Sequence, residues 1–135
     1  MNDMNSTSTA APLVIKDDSK AGIRRARDIA RHFAENLEPA PRPDTADTLA
    51  LVVSELATNA LRHGGGYYTL ELSADRDGVS IAVSDPSPAL PREREPDLNG
   101  GTGGFGWHMI RSLAHSVTIT PGPECGKTIH ALLPR

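Results

Sequence analysis

The stretch Leu49–His63, LALVVSELATNALRH, leaves the chain little choice of local structure. Apolar residues at Leu49, Val52, Val53, Leu56, Ala60 and Leu61 recur at the helical period, which predicts a helix with one buried stripe. Glu55 and Asn59 stand four apart and project side by side from one face. At about 100° per residue, that face borders the apolar stripe. An acid and an amide in this position either line a pocket at the margin of a core helix or belong to its solvated surface.

The surrounding composition narrows what such a pocket would serve. The 135 residues fit one domain with room for a buried core. A formal net charge of -3, with no run of Lys or Arg longer than two, argues against a nucleic-acid surface, which needs concentrated positive charge. One cysteine, Cys125, cannot form an intramolecular disulfide, as suits a reducing compartment. The start of the chain lacks the pattern of a signal peptide, and no segment has the roughly 20 apolar residues of a membrane span. A small cytoplasmic domain, without membrane contact, is the expectation.

Residues 1–12 are rich in Ser, Thr, Asn and Ala and read as an N-terminal tail, with the folded domain at 13–135. Leu13-Val14-Ile15 predicts a short strand. From Ser19, a fitting N-cap, Ala21, Ile23, Ala26, Ile29, Ala30 and Phe33 predict a helix to about Leu37. Prolines 39, 41 and 43 end it. Asp44 or Thr45 can cap the central helix, and Gly64-Gly65-Gly66 suits its left-handed terminus. Tyr67–Ala74 and Val79–Val83 alternate around Asp75-Arg76-Asp77-Gly78 and predict a β-hairpin. After a loop to Gly100, the glycines from Gly101 open a helix to about His115, and Val117–Thr120 with Thr128–Leu133 predict a second hairpin. The order β-α-α-β-β-loop-α-β-β gives an α/β (α+β) two-layer sandwich, its sheet mixed and mostly antiparallel with helices on one face.

Three further stretches bear on chemistry. The run Gly101-Thr102-Gly103-Gly104-Phe105-Gly106 enters a helix N-terminus, where free N–H groups and the helix dipole favour an anion. A linker would have the same glycines, and neither a Walker loop nor a dinucleotide fingerprint is present. Asp85, before Pro86, is a turn former or an acceptor for an exocyclic amine. Thr128 either packs as a β-branched strand residue or takes part in the same site. His63 either suits a helix C-terminus on dipole grounds alone or approaches a phosphate. Trp107 reads as a core or lid-packing aromatic, and the remaining histidines lack metal-ligand spacing. Arg24, Arg25, Arg27 and Arg31 form a solvated helix face or a partner surface.

Taken together, Glu55-Leu-Ala-Thr-Asn59-Ala-Leu-Arg-His63, Asp85-Pro-Ser-Pro, Gly103-Gly-Phe-Gly106 and Gly126-Lys-Thr128 resemble, in order and spacing, the N box and three nucleotide boxes of the GHKL ATP-binding superfamily. The small size and the Ala-Leu-Arg-His ending look most like the anti-sigma-factor serine/threonine kinases. No phospho-acceptor histidine region or dimerisation bundle is seen, so a complete sensor histidine kinase is not expected. The resemblance implies a Bergerat-type fold that holds ATP between helices and one sheet face. It implies Asn59 as the Mg²⁺ ligand, Glu55 as the catalytic base that orients or deprotonates a serine hydroxyl, and Asp85 as the acceptor for the adenine amine. It further implies that His63, Gly103, Gly104, Phe105 and Gly106 bind the nucleotide, that Thr128 supports Asp85 or a bridging water, and that residues 86–104 form a lid. Implied partners are a sigma factor and a small STAS-type anti-sigma-factor antagonist, with the protein a homodimer.

The chain departs from that pattern in two places. Pro86, Ser87 and Pro88 stand where glycines usually follow the Asp, and no Arg immediately precedes the second glycine box, Arg92 and Arg94 lying farther back. These departures bear on transfer more than on binding. They motivate a second expectation, a non-catalytic nucleotide-sensing module that sequesters a regulatory partner.

Overall fold

The structure is a computed structural model and describes residues 10–17, 19, 21–63, 66–87, 103–122 and 126–135. Its elements run β1 (Ala10–Asp17), α1 (Ala21–Glu35), α2 (Thr45–His63), β2 (Tyr68–Ala74), β3 (Gly78–Asp85), α3 (Gly103–Leu113), β4 (Ser116–Pro121) and β5 (Lys127–Pro134).

Local chemistry accounts for the boundaries. Ser19 caps α1, its Oγ accepting from the Gly22 N–H at 3.2 Å. The Asp44 carbonyl accepts the Thr48 N–H at 3.0 Å and so opens α2. Beyond α2, Gly66 has φ 94°, a left-handed conformation that glycine adopts without strain, and its N–H reaches back to the Ala60 carbonyl. In the β2–β3 turn, Asp75 Oδ1 accepts from the N–H groups of Asp77 and Gly78 at 2.8 and 3.1 Å. β1 takes in Ala10–Pro12, which the sequence reading assigns to the tail. Its register against β2 shifts between Ala10 and Leu13, around a proline that cannot donate to the ladder.

The five strands lie in the order β1-β2-β3-β5-β4. A mixed sheet was the expectation, yet every described pairing is antiparallel. The reason is the position of β5. β3 and β4 run in the same direction and are joined through α3, but β5 inserts between them and pairs antiparallel with both. No parallel neighbours remain.

The helices cover one face, with α2 against β2, β3 and β5, and α1 and α3 beside it. Strand alternation sends Leu70, Leu72, Val79, Ile81, Val83, Ile129, Ala131 and Leu133 into the interior, where they meet Leu49, Val52, Val53 and Leu56 of α2. Each such large side chain contributes about 1.5–3 kcal/mol by leaving water. α1 buries Gly22, Ala26, Ala30 and Ala34, a stripe of small residues that lets it approach α2 closely. Trp107 of α3 is also interior, at 8% exposure, and belongs to this core. On the far face, Glu71, Ser80 and His130 are exposed.

Candidate functional site

α2 supplies the first wall. Glu55, Asn59 and Arg62 are spaced four and three apart, so they share a face one step round the helix from buried Leu56 and Ala60. Glu55 and Asn59 are both half-buried. Burial pushes the Glu55 carboxyl above its ordinary value of 4.5, while the Arg62 guanidinium pulls in the opposite direction. Among the described residues, no hydrogen bond engages the Asn59 amide, so its oxygen can serve a ligand. Next to Arg62, a cleft of about 270 Å³ opens between α1 and α2, lined by Ile23, Arg24, Arg27, Thr58, Leu61 and Arg62. Three guanidiniums and two apolar side chains give the cleft a positively charged, partly apolar lining.

α3 supplies the second wall. Gly103, Gly104, Phe105 and Gly106 are themselves its first turn, not a loop ahead of it. The first N–H groups of any helix lack intrahelical acceptors, and the dipole there attracts negative charge. Residues 88–102, with most of the expected lid, Arg92 and Arg94, lie outside the described residues, as do the side chains of His63 and residues 103–106.

The sheet forms the floor. Asp85 ends β3 on the helix-facing side, in the alternation that buries Val83 and Ile81, and its side chain is 3% exposed. Its Oδ1 accepts the Ser87 N–H at 3.0 Å and the Lys127 ammonium at 2.9 Å. Lys127 Nζ also donates to the Ser87 carbonyl at 3.1 Å. Its side chain is itself only 6% exposed. Gly126 makes this approach feasible, because a Cβ there would lie 2.6 Å from the Asp85 carbonyl oxygen.

Thr128, expected to support Asp85, is on the opposite face. It pairs with Ser84, hydroxyl to hydroxyl at 2.8 Å, on the side of the sheet away from the helices. Strand geometry requires this: with Ile129, Ala131 and Leu133 inward, Lys127 also points inward and Thr128 outward. The residue that meets Asp85 is therefore Lys127, which the motif comparison passes over. Period-two alternation through β5 is the signal that would have found it.

The described residues include a half-buried acid with a raised proton affinity, an amide with no described hydrogen bond and, at the start of α3, a helix N-terminus of the kind that suits anions. A buried carboxylate at the sheet end adds an acceptor. Among the described residues, no cluster of three His, Cys, Asp or Glu side chains could hold a metal on its own. No described helix is long and apolar enough to cross a membrane.

Comparison with known proteins bears on the whole chain. Among curated proteins no relative matches it. A solved structure of the RsbU and RsbW domains of Rv1364c from Mycobacterium tuberculosis matches with a TM-score of 0.67 at 18% identity. That alignment covers 93% of this chain and 32% of the other, so this chain spans about a third of that protein's length and the likeness is one of fold. The family model described as the histidine kinase-like ATPase domain matches residues 18–131. With an α/β sandwich and an open antiparallel sheet of the same class, this chain belongs to the histidine kinase-like ATPase domain family.

Proposed function

We propose that the domain binds ATP with Mg²⁺ and transfers the terminal phosphoryl group to a serine or threonine of a small STAS-type antagonist, while holding a sigma factor as its regulated partner. The observation that carries this reading is the α2 face, where Glu55, pushed towards neutrality by burial, stands beside the unengaged amide of Asn59. A carboxyl with raised proton affinity is a better base for an alcohol than an exposed one. The fold likeness to a structure containing an RsbW domain points the same way.

In this reading Asn59 would hold Mg²⁺ through its amide oxygen, and the ion would supply charge neutralisation at the phosphates. Bound Mg²⁺–ATP brings the transferable phosphoryl group and the charge neutralisation that such transfer needs. Glu55 accepts the hydroxyl proton of the acceptor serine as its oxygen attacks. Gly103–Gly106 present N–H donors to the phosphates, and His63, in the last turn of α2, is assigned to nucleotide binding with them. Asp85 accepts a hydrogen bond from the adenine amine. The arginine-lined cleft between α1 and α2, adjoining Arg62, holds an acidic stretch of the protein substrate next to the base. The protein works as a homodimer in the cytoplasm.

The test is transfer from γ-labelled ATP and Mg²⁺ to a panel of STAS-type antagonist domains, comparing the wild type with Glu55→Gln. Labelled phosphoserine or phosphothreonine, reduced at least about a hundredfold in the variant, supports the assignment. Full-rate transfer by Glu55→Gln removes Glu55 as the base. Saturable ATP binding with no transfer to any antagonist assigns the domain to the sequestering class, for which the altered second glycine box, with no Arg immediately before it, is the supporting departure.

A further inference from the structure

Lys127 has no role in the reading proposed above, yet its ammonium is a buried cation whose described side-chain bonds all go to one place. Its ammonium donates to Asp85 Oδ1 and to the Ser87 carbonyl, while the Ser87 N–H donates to that same Oδ1. The three contacts form a closed knot that ties the end of β3, the two residues after it and the start of β5. Both donors fall on one carboxylate oxygen, so the carboxylate plane is fixed and Oδ2 receives none of the described bonds. Burying the carboxylate is costly, and the ammonium at 2.9 Å offsets that cost.

We infer that Lys127 is the positioning residue for nucleobase recognition. It clamps Oδ1 so that Oδ2 remains as a fixed, purely accepting atom that selects a 6-amino purine over a 6-oxo purine. The inference rests on the proposed reading of Asp85 as the base acceptor and deepens it by naming what confers selectivity. The chemistry is direct. An exocyclic N–H₂ donates to Oδ2, whereas a 6-oxo oxygen presents an acceptor to an acceptor. A carboxylate free to rotate could turn away from the 6-oxo oxygen or meet the neighbouring ring N–H, and discrimination would fall. A buried site that leaves its polar group unpaired rejects the wrong analogue strongly.

The experiment measures dissociation constants of ATP and ITP, by calorimetry with Mg²⁺, for the wild type, Lys127→Met, Lys127→Gln and Lys127→Arg. The wild type is expected to prefer ATP by about a hundredfold or more. Lys127→Met should reduce that preference to roughly tenfold or less, and Lys127→Arg, which keeps the cation, should retain most of it. A purely structural lysine would weaken ATP and ITP by the same factor and leave the ratio unchanged, which overturns the inference. Should Lys127→Met fail to fold, Lys127→Gln, which keeps a donor but loses the charge, serves as the neutral variant under the same criterion. A wild-type ratio below about tenfold overturns the inference whatever the variants do. Absence of binding of either nucleotide to the folded wild type overturns the ATP-binding reading itself, whereas ATP binding with an unchanged ratio in the variants overturns only the role of Lys127.

Discussion

Removing either partner of the Asp85–Lys127 pair alone should cost more than removing both. The two side chains are 3% and 6% exposed, so Asp85→Ala leaves an ammonium with the Ser87 carbonyl as its one remaining described acceptor. Breaking a buried pair from one side typically costs about 3–5 kcal/mol, because the survivor is charged and uncompensated. The Ser87 N–H loses its acceptor in the same variant, adding about 1 kcal/mol. Lys127→Met strands the carboxylate instead, with the Ser87 N–H still in place, and should cost about 3 kcal/mol. In Asp85→Ala/Lys127→Met no charge remains to be stranded. Only the Ser87 contacts and some packing are lost, for a total of about 2 kcal/mol. The double-mutant cycle should therefore return a coupling of several kcal/mol, far beyond the roughly 0.5 kcal/mol scatter of independent sites. The assay is urea unfolding followed by circular dichroism at pH 7, with slopes compared to confirm that the unfolded states match. Single-variant losses that simply add in the double variant would refute the argument, since they would show two groups already in contact with solvent.

Two further outcomes follow from the same geometry. Because burial raises the Glu55 carboxyl above 4.5, the folded protein keeps a proton there over a pH range in which the unfolded chain has released it. The contribution of Glu55 is thus fully present below about pH 4.5 and is lost as pH rises through the raised folded value, so the wild type should lose stability relative to the non-titrating Glu55→Gln over that window; a wild type that gains on the variant there would mean the folded carboxyl is depressed instead. Thr128→Val removes a hydroxyl bonded to Ser84 on the outer face, and should cost about 1 kcal/mol in chemical unfolding while leaving the ATP dissociation constant within about twofold; a loss of ATP affinity of tenfold or more would return Thr128 to the site.

Much of this architecture could be read from the chain because its signals are local. The period of α2, the Ser19 cap, the Asp75–Gly78 turn and the glycine after α2 each depend on residues within a few positions of one another. Glu55 and Asn59 were legible for the same reason, since helix geometry alone makes them neighbours. What escaped depends on contacts distant in sequence. The start of β1 at Ala10 is set by Ala74, its partner across the sheet. Insertion of β5 between β3 and β4 is likewise a choice among sheet orders that hairpin signals do not distinguish. Lys127 falls between the two cases: alternation from Ile129, Ala131 and Leu133 gives its inward direction, but only the register Asp85↔Lys127 gives its partner. A motif comparison favours the familiar threonine beside it, and the buried face is occupied by the lysine.

The place of β5 also has a consequence for how the protein is made. Within β5, Lys127–Leu132 pair on both sides, with β3 and with β4, while Leu133 and Pro134 pair with β3 alone. Until they leave the ribosome, β3 has a bare edge, β4 has no neighbour in the sheet and Asp85 has no counterion. A nascent chain halted before residue 127 already carries Glu55, Asn59 and Gly103–Gly106, but lacks the strand that joins β4 to the rest of the sheet and the lysine that holds Asp85. A chain halted there lacks the fixed Asp85 carboxylate, and the sheet is complete only once β5 has entered between β3 and β4.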